Sequence, residues 1–392
     1  MTPGLARAER ARAVRDAARS WHRAGAVDEA VLAAVVARYP EDRVRVGPVF
    51  RGLLFLFTLV AVCGFFGFIG LLADVQRDDD WAWLAAVAGA AMVVVTEVQI
   101  GPLRRRQGGT EAATSFLAVG LLWSAAAWWL FEPSDFDDRA TMALICLAAA
   151  GLLAAAAWRW GYPLYAGAAT AALLVALTPV PGARLLWIVL PLVSAPVLLR
   201  LAQSPRLPPS HRASLTAVAF VALGGLYAAV HLGSWDAKLI EEIGGRRPAS
   251  DSDVLWWAAI AATALVPAAL LAAGILRRRY ALLLLGVVTG AVSLVTLRYY
   301  VHLAPLWVVL VVSGAALSAA VLAVQYYLAS GPDGERHGFT ASPLFTDLAR
   351  QRVLEAGVAV LAFSPEARTL PEEPKYDGGG GEFGGGGASG SF

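Results

Sequence analysis

Cysteine, lysine and histidine are all scarce in this chain of 392 residues, and each scarcity removes a class of function. The two cysteines, Cys63 and Cys146, both sit inside apolar runs. A disulfide scaffold needs several in polar, oxidising surroundings, so none is expected. The five histidines (His22, His211, His231, His302 and His337) include no pair with the spacing of a metal site. Lysine occurs only at 238 and 375, so arginine carries nearly all of the positive charge, a usage typical of GC-rich bacterial genomes. Charged residues make up 16% of the chain, against about 25% in soluble domains. That excludes an ordinary cytosolic enzyme. The motifs G-x-x-x-x-G-K-[ST], H-E-x-x-H, G-x-S-x-G, C-x-x-C and G-x-G-x-x-G are also missing. No catalytic, cofactor-binding or metal-binding residue is assigned, and the expectation leans away from an enzyme.

What is present is apolar surface. Apolar residues are 58% of the chain and mean hydropathy is +0.59. A membrane span needs about 20 apolar residues at about 1.5 Å each to cross roughly 30 Å of hydrocarbon. Ten segments qualify: 49–73, 81–99, 111–131, 139–158, 163–180, 184–202, 213–233, 254–276, 280–297 and 303–328. Lipid leaves no partner for an open backbone, and no alternating period suggests a barrel, so these spans are expected to be helices. The expected fold is all-α, a polytopic transmembrane helical bundle. It divides into a cytoplasmic helical hairpin (1–48), the bundle (49–328), a linker with a short helix between 342 and 363 (329–377), and a disordered glycine-rich tail (378–392).

In the hairpin, Val14, Ala17, Ala18 and Trp21 form one stripe of the first helix, with Arg7, Arg10, Arg15 and Arg19 on the remainder. Gly25 is placed to end that helix and Asp28 to cap the next. The charged, helical start predicts no cleavable signal peptide. With the N-terminus in the cytoplasm, inside loops carry ten arginines: 104–106, 159, 200, 206, 212 and 277–279. Outside loops carry seven basic residues and the acidic clusters Asp74, Asp78–Asp80 and Glu132–Asp138. The bias sets both termini on the cytoplasmic side of a bacterial inner membrane. Residues 235–243, with Trp235, Leu239, Ile240 and Ile243 on one face, read as a short interfacial helix.

Two resemblances follow from short motifs. Trp21, Gly25, Val27 and Tyr39, in a hairpin that precedes a multi-span bundle, resemble a widespread family of predicted bacterial polytopic membrane proteins of unknown function. That resemblance implies the cytoplasmic hairpin and no activity. The tail, with Gly-Gly-Gly-Gly before Glu382-Phe383 and again before Ala388-Ser389-Gly390-Ser391-Phe392, resembles tails of bacterial membrane proteins with TPM-type domains. It implies shared handling of the terminus.

Polar residues inside spans are the candidates for function, because burying them costs roughly 2.5–3.5 kcal/mol or more at a helix centre. Glu97 is the clearest; Arg104, seven residues on, or a neighbour is the expected ion-pair partner if Glu97 does not serve as a proton or cation site. Arg298, Tyr299, Tyr300 and His302 cluster between spans nine and ten, as an anchor or an anionic-lipid site. Tyr227 and His231 form a second outer pair. Gly64-x-x-Gly67-x-x-Gly70 and Gly286-x-x-x-Gly290 are expected to let helices approach closely, and Pro191, Pro196 and Pro267 to interrupt spans six and eight. In the tail, Phe383 and Phe392 are candidate docking residues. The favoured function is a non-enzymatic membrane scaffold or partner-binding protein. Its expected partners are membrane lipids and a protein engaged through 1–48 and 378–392, with no nucleic acid and no cofactor. The alternatives are a secondary transporter of five-plus-five inverted-repeat type and, less favoured, a membrane-embedded transferase acting on lipid-linked substrates.

Overall fold

The computed structural model describes residues 3–23, 25–40, 47–105, 108–131, 138–235, 253–277, 279–301 and 305–331, with the short pairs 335–336 and 339–340. The interfacial segment 236–243, His302, the 342–363 helix and the tail with Phe383 and Phe392 lie outside the described residues. The chain divides into two units, Met1–Leu306 and Trp307–Phe392.

The first unit opens with α1 (Pro3–Arg23) and α2 (Glu29–Arg38). The turn forms as the residues require. Gly25 takes φ +73°, and the Asp28 carboxylate accepts a hydrogen bond from the Val31 amide at 2.8 Å. His22 Nδ1 donates to the Val27 carbonyl at 3.0 Å and closes the hairpin.

Nine apolar helices follow: α3 (Pro48–Leu72), α4 (Asp78–Ile100), α5 (Thr110–Phe131), α6 (Asp138–Trp160), α7 (Pro163–Ala176), α8 (Ala183–Leu201), α9 (Pro209–Val230), α10 (Asp253–Leu276) and α11 (Tyr280–Val301). Proline opens α3, α7 and α9 at the first helical position, where its missing N–H has no partner to lose. Eight of the nine are long and apolar enough to cross a membrane. The exception is α7. The expected span 163–180 ends at Ala176, because Pro179 and Pro181 cannot donate to a continuing helix. Its 14 residues reach about 21 Å. The second unit contains α12 (Leu306–Ala329), 24 residues long, where the tenth span was expected, and a two-residue antiparallel ladder pairing Glu335 with Thr340.

The bundle is built inside out relative to a soluble domain. Its buried positions are small: Ala113, Ala118, Ala125, Ala195 and Ala219 are all at most 1% exposed. Its surface is large and apolar: Phe57, Leu71 and Leu276 are 79–80% exposed. In water such a surface far exceeds the patch a monomer tolerates. In lipid it costs nothing, and small buried residues let helices pack closely. This is a multi-pass membrane protein.

Close packing falls on particular glycines. A Cβ on Gly286 of α11 would lie 2.9 Å from the Leu271 amide nitrogen of α10, and one on Gly274 of α10 would lie 2.8 Å from the Leu283 amide nitrogen of α11. Gly286 thus meets Leu271 and Gly274 meets Leu283, while a Cβ on Gly290 would lie 3.8 Å from Pro267 of α10, an ordinary contact. In α3 only Gly70 is covered, by the Trp81 ring; Gly64 and Gly67 face open space. Pro191, Pro196 and Pro267 lie within continuous helices and break neither α8 nor α10. Neighbouring helices tolerate the lost hydrogen bonds.

Candidate functional site

Arginine gathers at one end of the first unit, where α4, α6, α8 and α10 finish and α5, α7, α9 and α11 begin. The loops there hold Arg104, Arg105, Arg206, Arg277 and Arg279, and Arg279 ties α11 to α8 through the Leu199 carbonyl at 2.7 Å. Glu97 lies one turn inside this end. Its two oxygens accept from Arg159 Nε and Nη2, each at 2.7 Å, and Oε1 also accepts from Trp160 Nε1 at 2.9 Å. The partner is therefore on α6, not Arg104. Helix α4 stops at Ile100, before Gly101-Pro102, and Arg104 has a left-handed φ of +51°, so the seven-residue spacing does not carry through. A fork-to-fork arginine pair with an indole donor leaves the carboxylate well satisfied. Glu97 joins α4 to α6.

Helix α1 is seated against this end. Leu5 is 1% exposed and belongs to one core with Ile100, Trp160 and Tyr165. Tyr165 donates to Ser115 Oγ at 2.7 Å, since that hydroxyl already donates to the Ala112 carbonyl. On α9, the Ser210 amide donates to Glu9 at 3.2 Å, and Arg10 Nη2 donates to the Arg206 carbonyl at 2.7 Å. The buried residues of α1 are Leu5, Arg15 and Ala18. They differ from the expected stripe: of its residues only Ala18 is fully buried, while Val14 and Trp21 are exposed. Leu5 packs in the core with Ile100, Trp160 and Tyr165, whereas Ala18, thirteen residues on, lies about 140° round the helix on another face. Helix α2 buries no residue.

A second polar group occupies the opposite half of α9, α10 and α11. Thr289, Ser293 and Thr296 form a stripe along α11. Ser293 Oγ donates to the Thr263 carbonyl of α10 at 2.6 Å, and the Tyr227 hydroxyl of α9 lies 2.8 Å from it. Thr296 Oγ1 already donates to the Val292 carbonyl, so His231 Nε2 donates to it at 2.9 Å, and His231 Nδ1 accepts from the Gly233 amide. Thr263 Oγ1 accepts from the Leu232 amide at 2.8 Å. Arg184 of α8 reaches the Ser234 carbonyl at 2.6 Å.

Arg298 and Tyr299 lie in the last turn of α11, since that helix runs to Val301 rather than 297. Tyr299 is 70% exposed and packs edge-on to Tyr300, which meets the Trp256 ring at 5.8 Å. His302 is outside the described residues.

Sequence reading missed Glu111. It sits in the first turn of α5 with 0% exposure, and one oxygen accepts from the Gly108 amide at 2.8 Å. A carboxylate two residues past Gly108-Gly109 at a helix start was the available signal. The α11 hydroxyl stripe was also legible, as spacings of four and three. Among the described residues, no group of three or more His, Cys, Asp or Glu side chains is arranged to hold a metal. Comparison with protein-family models, with curated proteins and with solved structures finds no match to this chain.

Proposed function

We propose that this protein is a non-enzymatic membrane adaptor of the bacterial inner membrane, with ten crossings and both termini cytoplasmic. Its N-terminal hairpin is held against the cytoplasmic end of the bundle and presents a face to a protein partner. The carrying observation is a set of large apolar residues left exposed on a hairpin that is itself held to the bundle through Leu5, Glu9 and Arg10. Leu5, Arg15 and Ala18 are buried, while Val14 and Trp21 of α1 and Val31 and Val36 of α2 are exposed apolar residues. Arg7, Arg19 and Arg23 are exposed on the same helix as Val14 and Trp21. An apolar face edged by arginine suits an acidic amphipathic helix. The resemblance of the Trp21–Tyr39 hairpin to those of other bacterial membrane proteins fits the same role, and Phe383 and Phe392 supply a second docking point on the tail.

The transporter alternative draws less support. The prolines that would break spans six and eight lie in continuous helices, and Glu97 has its oxygens occupied by Arg159 and Trp160.

Photo-crosslinking residues placed at Trp21 and Val36 in native membranes should give the same discrete protein adduct. Val14→Glu should abolish it, whereas a probe at Ala18 should give none. The adduct's peptide should come from an acidic amphipathic segment. Adducts to lipid alone, or none at either exposed position, would overturn the adaptor reading.

A further inference from the structure

At the end of the first unit opposite the arginine-rich one, the chain leaves α9 through a turn that is tied to three other helices. Val230 is the last residue of α9, His231 follows in an extended conformation (φ −66°, ψ 138°), and Leu232–Trp235 form a single 3-10 turn. The side chain of Leu232 is 0% exposed, and its amide is the one that Thr263 of α10 accepts. The Ser234 amide and hydroxyl both donate to the His231 carbonyl, at 2.9 and 2.7 Å. The Ser234 carbonyl in turn accepts from Arg184 of α8, and His231 Nε2 reaches Thr296 of α11. A change in the conformation of 231–234 is therefore a change in how the end of α9 is held to α8, α10 and α11.

Both ring nitrogens of His231 are committed, and in opposite senses. Thr296 Oγ1 donates its own proton to the Val292 carbonyl, so Nε2 carries the hydrogen of that pair. Nδ1 is the bare nitrogen and accepts from the Gly233 amide at 3.2 Å. Glycine allows the approach, since a Cβ at 233 would itself lie 3.2 Å from Nδ1. An imidazolium has no bare nitrogen. A proton on Nδ1 would face the Gly233 N–H donor to donor, and the amide, in a buried residue, would lose its acceptor. The groups around the ring do not compensate. Tyr227 of α9 packs 5.1 Å from it, with its hydroxyl already engaged by Ser293 and the Thr289 carbonyl. Arg184 of α8 is a cation, and so is Arg298, two residues beyond Thr296 on α11. Asp253, which opens α10, stands ten residues before Thr263, about 15 Å along the helix. Burial also pushes the ring below the ordinary histidine value.

We propose that the turn 231–235 is an acid-operated latch: protonation of His231 removes the acceptor that Gly233 uses, the turn opens, and the links from the end of α9 to α8 and α10 loosen. The closed turn fits only the neutral ring, whereas the freed ring of an open turn takes a proton at the ordinary value of about 6.5. Closure is thus favoured above that pH and is lost progressively as the pH falls below it, towards the lower value of the closed turn. The latch rests on the proposed topology only for the compartment whose acidity it reads, and an experiment in detergent is independent of that.

The test uses the full chain in detergent, pulse-labelled for hydrogen exchange at about pH 7.5 and about pH 5, with the protection of peptides covering 231–235 normalised to the free-chain rate at each pH. His231→Asn is the comparison, because an asparagine oxygen can accept from the amide two residues on and takes no proton. In the wild type, protection of these peptides should fall on acidification by up to about tenfold for each unit by which the closed turn lowers the histidine's pKa. In His231→Asn it should hold at one level. A second measurement needs no variant at 231: the Cε1 proton of His231, assigned by elimination from variants of the other four histidines, should titrate below about 6.5 in the wild type. That titration decides the matter if His231→Asn does not fold. Undiminished protection of the wild type at the lower pH, an equal loss in His231→Asn, or a His231 ring that titrates at or above the ordinary value would overturn the latch.

Discussion

At the scale of single residues, the sharpest departure from expectation concerns Glu97. An acidic residue inside an apolar run reads first as a paired charge and second as a proton site. What decides is its surroundings: two arginine nitrogens and an indole donor occupy its oxygens. The pair is partly open, with the Arg159 side chain 50% and the Glu97 side chain 32% exposed, so its net value is small, about 0.2–1 kcal/mol. A double-mutant cycle of Glu97→Gln and Arg159→Gln, read by detergent unfolding, should return a coupling of that size. Any pH-dependent phenotype should survive Glu97→Gln at normal protein level; its complete loss would restore the proton-site reading. The carboxylate was legible in the sequence, and its partner was not. Arg104 is nearer in the chain, but Gly101-Pro102 ends the helix, and Arg159 arrives only through the packing of α4, α5 and α6.

At the scale of elements, existence was legible and orientation was not. Runs of about 20 apolar residues announce spans through the cost of bare backbone in lipid. The same runs are apolar all round, so nothing in them says which side meets a neighbour. That is why Gly64, Gly67 and Gly70 looked equivalent, although only Gly70 is covered. In α10 and α11 the close approach rests on Gly274 and Gly286. Gly286→Leu should therefore lower melting temperature by several degrees or prevent assembly, whereas Gly64→Leu, facing open space, should leave it within about 1 °C, since substitutions away from packed features change little. Equal effects would mean that the α10–α11 contact is misplaced. Helix α1 teaches the complementary lesson. Its apolar stripe was read from residue type, yet Arg15 is buried while Val14 and Trp21 are exposed, because burial depends on position as well as on hydropathy.

At the scale of the whole molecule, alanine inside and phenylalanine, leucine and valine outside identify lipid as the solvent. The proposed topology places the arginine-rich end in the cytoplasm, as the bias of short loops predicts. The adaptor reading requires that end to face the cytoplasm. Cysteine labelling in intact cells tests this directly, in a background where Cys63 and Cys146 are replaced by alanine. Ser20→Cys, Arg105→Cys and Arg277→Cys should react with a membrane-impermeant maleimide only after permeabilisation. Gln76→Cys and Thr178→Cys, the latter at the far end of the short α7, should react in intact cells. Labelling of any of the first three without permeabilisation, or protection of Thr178→Cys, would contradict the proposed topology and with it the cytoplasmic hairpin.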